Sequence, residues 1–125
     1  MPRLIVKICV VTGCERGIGP SIAAAFQAEG ARVIATDKDV AAGEAAAAAI
    51  GCRFVRLDVR VEPDWEALEA SMPDVDVVVN NAGVTGFEDG VVAHDPEHAS
   101  LEDWRAVHRV NLDGTFWGAA MPFGR

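Results

Sequence analysis

Short apolar runs rich in β-branched residues alternate along this chain with stretches of helical periodicity, and that alternation admits few folds. The first run, RLIVKICVV at 3–11, is almost continuously apolar, as a strand covered on both faces must be. ARVIATD (31–37), CRFVRLDV (52–59) and VDVVVN (75–80) repeat the pattern. Helical segments separate them. One is expected from Pro20 to Gly30, with proline at its start, glycine at its stop, and Ile22, Ala25 and Phe26 on its inner face. VAAGEAAAAAI (40–50) is dominated by the best helix former and ends at Gly51. A third spans about 61–72, puts Trp65, Leu68 and Met72 on one face and closes at Pro73. Strand, helix and strand in succession imply right-handed crossovers and parallel pairing. The expectation is an α/β fold: a doubly wound parallel sheet of about four strands in the order 3-2-1-4, helices on both faces, with all 125 residues in one domain.

After the fourth run, residues 81–99 read as loop, with Gly83, Gly86, Gly90 and Pro96 among scattered acids. Ser100 is placed to cap the helix LEDWRAVHRV, with Asp103 three positions on. From Asn111, Leu112, Phe116, Trp117 and Ala120 recur at helical spacing. A net charge of −8 argues against nucleic acid, whose phosphates need clustered Lys and Arg. No apolar run approaches the roughly 18 residues of a membrane span, so no membrane partner is expected. Lys7 interrupts the first run, which reads as a strand, not a signal peptide. The three cysteines, Cys9, Cys14 and Cys52, are odd in number and lack metal-ligand spacing, the pattern of reduced thiols in a cytoplasmic protein. A disulfide or reactive thiol is the alternative, with Cys14 its best candidate because it lies in a glycine-rich loop.

That loop, Gly13-Cys14-Glu15-Arg16-Gly17-Ile18-Gly19, joins the first strand to the first helix. Gly13 suits a tight turn, Gly17 a close approach of backbone to a pyrophosphate, and Gly19 close packing of helix on strand. The helix start then offers free N–H groups and a positive dipole end to an anion. Asp37 ends the second strand about twenty residues on, where a carboxylate can accept hydrogen bonds from a ribose diol and repel a 2′-phosphate. This favours NAD over NADP, although Arg16 and Lys38 pull the other way. Asp37 could instead cap the following helix, a task that Asp39 could do equally well.

In these motifs the chain resembles the short-chain dehydrogenase/reductase family. TGCERGIG looks like that family's T-G-x-x-x-G-I-G loop, LDV (57–59) its Asp-Val after the third strand, NNAG (80–83) its fourth-strand motif, and VNLDGTF (110–116) the segment bearing its catalytic Asn. The resemblance covers essentially the whole chain but about the first half of a typical member. It implies a Rossmann-like sheet that binds a dinucleotide. By resemblance, Gly13, Arg16, Gly17, Ile18 and Gly19 surround the pyrophosphate, Asp37 holds the adenosine ribose, and Asp58 and Val59 bracket the adenine. Asn81, Ala82 and Gly83 then line the adenosine side of the cleft, and Asn111 takes the catalytic Asn position, unless it serves to cap or kink the last helix. Asn80 either shares that motif's role at the cleft or ties neighbouring strand ends together.

The family's hydride transfer also requires a Tyr as general acid/base, a Lys beside it and a Ser. The sequence has no Tyr and no Lys beyond Lys38. Losing a positioned proton donor forfeits a factor of roughly 10²–10⁴. The chain is therefore expected to be a truncated family protein that does not catalyse hydride transfer alone. A non-catalytic nucleotide-binding module and a self-associating structural remnant are the alternatives, and the substrate cannot be read. His94 and His98 are four apart, but Pro96 between them spoils a shared helical face and no third ligand is evident, so no metal site is expected. His108 is expected on the surface. The outer edge of the fourth strand, or a Phe116–Trp117–Phe123 surface, is expected to meet a second copy, making a homo-oligomer.

Overall fold

A computed structural model describes residues 1–124. Strand β1 (Ile8–Val11) leads through the glycine loop to helix α1 (Ile18–Ala28), then β2 (Arg32–Asp37), α2 (Val40–Ile50), β3 (Arg53–Arg56), α3 (Glu62–Ser71) and β4 (Val77–Val79). A long loop reaches α4 (Leu101–His108), which continues through a π-type turn (Arg109–Asp113) into α5 (Gly114–Ala120). The sheet is parallel throughout, in the order β3-β2-β1-β4. Its register pairs Val10 with Ile34 on one side and with Val78 on the other.

Alternation along the strands divides the core in two. Cys9, Val11, Val33 and Ala35 face α1 and α2, where Ala23 and Ala47 are buried and Ile22, Phe26 and Phe54 fill the margins. Val10 and Ile34 face the other way, onto Trp65, Leu68 and Met72 of the α3 segment, with Trp117 of α5 packed against them. The face expected for α3 is therefore the one it buries. The β4 valines are only half-buried, since among the described residues no strand pairs with the outer edge of β4.

Several boundaries differ from expectation, each for a local reason. Residues 3–7 are not strand: the Lys7 amide donates to the Leu4 carbonyl (3.0 Å), Leu4 N–H donates to Glu29 O (2.9 Å), and Val6 adopts φ 57°. The partner strand β2 begins only at Arg32, so Leu4 and Ile5 pack around the end of α1 instead. Helix α1 starts at Ile18, and its phase is set by Gly19. Positions 19, 22, 23 and 26 turn inward, which leaves Ala25 exposed. In the last segment the π turn shifts the phase: Gly114 and Gly118 are buried, Trp117 is half-buried, and Leu112, Phe116 and Ala120 face out. Trp117 and Phe123 thus pack on the core and do not form an outward patch with Phe116. Asp39 caps α2, accepting from Ala42 N (3.1 Å), and Ser100 caps α4 through Asp103 N (3.0 Å). Among the described residues, no helix is long and apolar enough to cross a membrane.

Candidate functional site

The C-terminal ends of the four strands open onto one crevice of about 430 Å³. In open α/β sheets this end, where the strand order reverses, is where ligands lie. Its floor is held from both sides of β1. Buried Thr12 accepts from Asn81 N and Ala82 N at its Oγ1 (3.0 Å each), and Asn81 Nδ2 donates to the carbonyls of Thr12 (3.0 Å) and Gly13 (3.2 Å). On the β2 side, Cys14 N–H donates to Thr36 O (3.0 Å). The strand-tying role open to Asn80 therefore falls to its neighbour Asn81.

The glycines answer three different demands. Gly13 has φ 68°, and a Cβ there would lie 2.8 Å from Ala82 Cα. Gly17 has φ 74° with open space where a Cβ would be, so conformation alone requires glycine at this exposed rim position. Gly19 is buried, and a Cβ on it would press on the Gly13 carbonyl and on Asn81 Nδ2 (2.8 Å). Helix α1 begins with no capping side chain and no acid in its first turn, whereas α2 and α4 are side-chain capped and α3 carries Glu62 and Asp64 in its first turn. An anion at the start of α1 would meet unsatisfied N–H groups and the positive end of the helix dipole.

Arg16 and Ile18 from the loop, Asp37 and Lys38 from the tip of β2, and Leu57 to Arg60 beyond β3 form one half of the wall. The Asp37 carboxylate is held by main chain: Oδ2 accepts from Glu15 N (3.2 Å) and Oδ1 from Asp39 N (3.0 Å). Asp58 lies against Arg60, whose Nε donates to Oδ1 (2.9 Å) and whose Nη2 donates to Oδ2 (2.7 Å). These bonds hold the Asp58 carboxyl below the usual carboxylate range despite its burial. Trp65 Nε1 donates to Val59 O (2.9 Å), and Asp64 Oδ2 accepts from Asp58 N (2.9 Å), so α3 fixes this segment.

Asn81, Ala82 and Gly83 line the other half, with Val84, Glu88 and Val110. Strand order sets them across β1 from Asp37 and Asp58. Asn111 does not line the crevice. Its Oδ1 accepts from Val84 N (2.8 Å) and its Nδ2 donates to Val84 O (2.9 Å), so its amide holds the loop after β4. Glu88 knots the same loop, accepting from Thr85 N, Thr85 Oγ1 and Gly86 N. These bonds, that from the Thr85 main chain foremost, pull its carboxyl down to about 2.

Cys14 is fully buried, its thiol donates to Val11 O (3.2 Å), and burial pushes its pKa up to about 11, the opposite of a reactive thiol. His94 stacks on Phe87 (centroids 4.2 Å apart), away from any shared set with His98. Asp95, Glu97 and His98 instead approach one another on an exposed loop. His108 is half-buried against Trp104. Thr12, Arg60 and Glu88 were missed from sequence. For Arg60 the available signal was an opposite charge two residues from Asp58.

A family model for the short chain dehydrogenases matches residues 7–123. This chain belongs to the short-chain dehydrogenase family. The NADP-dependent (R)-specific alcohol dehydrogenase of Lentilactobacillus kefiri is 39% identical over 131 residues, covering 98% of this chain and 50% of that protein. The galactitol 2-dehydrogenase (L-tagatose-forming) of Cereibacter sphaeroides is 36% identical, covering 98% of this chain and 48% of its own length. A solved structure of a short chain dehydrogenase/reductase family protein superposes with TM-score 0.84 at 34% identity, over 98% of this chain and 50% of that one. The chain thus spans about half the length of the curated relatives it matches.

Proposed function

We propose that these 125 residues act as a single dinucleotide-binding unit of a short-chain dehydrogenase, taking NAD(H) across the strand ends. The uncapped start of α1, facing a crevice that also holds the Asp37 carboxylate, carries this reading. Gly13, Arg16, Gly17, Ile18 and Gly19 surround the diphosphate, and Asp37 accepts from the adenosine ribose. Asp58 and Val59 bracket the adenine, while Asn81, Ala82 and Gly83 line the adenosine side of the cleft from across β1. The cofactor supplies the hydride; the chain's own residues bind it, orient it and hold its phosphates. Asn111 acts as a positioning residue through Val84.

Oxidation or reduction at a carbonyl or alcohol carbon is the reaction proposed for the whole protein. Its proton donor has to come from residues outside these 125, since they contain no Tyr and no Lys beyond Lys38. Three free thiols favour a cytoplasmic setting. The half-buried β4 edge and exposed Leu112 and Phe116 favour association with a second copy. Arg16 and Lys38 on the wall, and the cofactor of the Lentilactobacillus kefiri relative, support NADP(H) as a second reading.

Fluorescence titration with NADH and NADPH tests both. Tighter NADH than NADPH binding is expected, with the gap narrowed in Asp37→Asn. Binding of neither nucleotide would remove the proposal, and preferential NADPH binding by the wild type would select the second reading.

A further inference from the structure

The proposed nucleotide reading puts Asp58 and Val59 at the base, and strand order brings one further side chain to it. With the diphosphate at the start of α1, after β1, and the ribose at Asp37 on β2, the base falls over the end of β3, the next strand outward. The wall there is Leu57 to Arg60. Among the described residues, Asp58 and Arg60 are the only ion pair whose two members both line the crevice.

The chemistry of that pair is asymmetric. A carboxylate has about four acceptor positions. Arg60 occupies three of those on Asp58, through its main-chain N–H (3.0 Å), Nε and Nη2. One remains, on Oδ2. A guanidinium has five N–H donors. Two of those on Arg60 face Asp58, so the other three, on Nη1 and Nη2, remain for a ligand. Asp58 is 9% exposed and Arg60 40% exposed, so the acceptor is fixed while the donors reach outward. The pair therefore offers one acceptor beside several donors.

Adenine carries the complement: an exocyclic amine, a donor, flanked by ring nitrogens N1 and N7, both acceptors. Hypoxanthine and guanine place a carbonyl where the amine would be, opposite the carboxylate. We propose that Arg60 is a base-selecting residue, donating to an adenine ring nitrogen beside the amine that Asp58 accepts. This rests on the nucleotide reading above. The alternative is that Arg60 only neutralises Asp58 and fixes the loop.

Calorimetric titration of the full chain with ADP, 7-deaza-ADP, 1-deaza-ADP and IDP separates the two, in wild type and Arg60→Ala. Each deaza analogue lacks one ring acceptor. The wild type is expected to bind ADP about tenfold more tightly than IDP and than at least one deaza analogue, the effect of one charge-assisted hydrogen bond. In Arg60→Ala that deaza penalty disappears, because ADP weakens to meet the analogue. Equal weakening of every ligand, or an unchanged ratio, overturns the proposal, as does a wild type indifferent to both nitrogens. Should Arg60→Ala fail to fold, Arg60→Met keeps the packing stem without the donors and is read the same way. Failure of the wild type to bind any of the four would instead overturn the nucleotide reading itself.

Discussion

Gly19→Ala tests the geometry beneath the phosphate loop. The added Cβ would stand 2.8 Å from Asn81 Nδ2 and closer still to the Gly13 carbonyl oxygen. Restoring an ordinary 3.4 Å contact to Asn81 alone needs a shift of about 0.6 Å, and the oxygen, being main chain, can move only with its loop. Overpacking of this kind costs about 1–3 kcal/mol. Alanine's better helix propensity returns up to about 1 kcal/mol. The net loss is about 1–2 kcal/mol, which at a urea m-value of about 1–3 kcal/mol/M lowers the midpoint by about 0.3–2 M. The same shift pulls Asn81 off the carbonyls of Thr12 and Gly13, so ADP-ribose should bind more weakly. Gly17→Ala is the control: its backbone at φ 74°, ψ −129° makes alanine cost about 1–3 kcal/mol, but nothing lies where the methyl would go, so no neighbour is displaced. Urea unfolding and calorimetric titration of both variants provide the comparison. A Gly19→Ala protein as stable as wild type, with unchanged affinity, would refute the close approach.

Asp37→Asn should weaken ADP-ribose about tenfold, the value of a hydrogen bond to a charged acceptor, and should narrow the gap between NADH and NADPH; an unaltered preference in titration would mean that this carboxylate does not meet the ribose. The Asp58 carboxyl is held low chiefly by its Arg60 hydrogen bond, so the stability this pair contributes is complete above the ordinary aspartate value of about 4 and drains away as pH falls through the lower folded value. Urea midpoints at pH 5, 4 and 3 should therefore fall more steeply in wild type than in Asp58→Asn, and parallel curves would deny the linkage. Trp65→Phe removes the Nε1 donor from Val59 O inside the core and should cost about 1–3 kcal/mol by urea unfolding. Cys14 should resist iodoacetamide at pH 8 until the chain unfolds, with Cys52 the first to react; rapid labelling of Cys14 detected by mass spectrometry would contradict its burial.

Where local and tertiary signals agreed, the sequence was readable. The Ala-rich helix with Asp39 before it and Gly51 after it occupies the residues expected, and Ser100 caps where its spacing with Asp103 indicated. Gly13 turns with φ 68°, and Gly19 meets the close contact its place in the loop implied. The misreadings came from features with no local signature. Residues 3–7 have strand composition, but pairing length is set by the partner strand, which begins at Arg32. Ala25 is expected on an inner face, and Trp117 and Phe123 on an outward one, because periodicity gives the spacing of a stripe but not its phase, and here Gly19 and the π turn set the phase. The hold of the Asn111 amide on the Val84 main chain likewise has no local signature. The Asp58–Arg60 pair needed three dimensions, because two charges two residues apart face one another only when the backbone turns between them.

The most direct test of the dinucleotide cradle is an amide NMR titration of the chain with ADP-ribose. The largest shift changes are expected at Gly17, Ile18 and Gly19, with a second group at Lys38 and Arg60. Shifts confined to other residues, or none at millimolar ligand, would contradict that cradle.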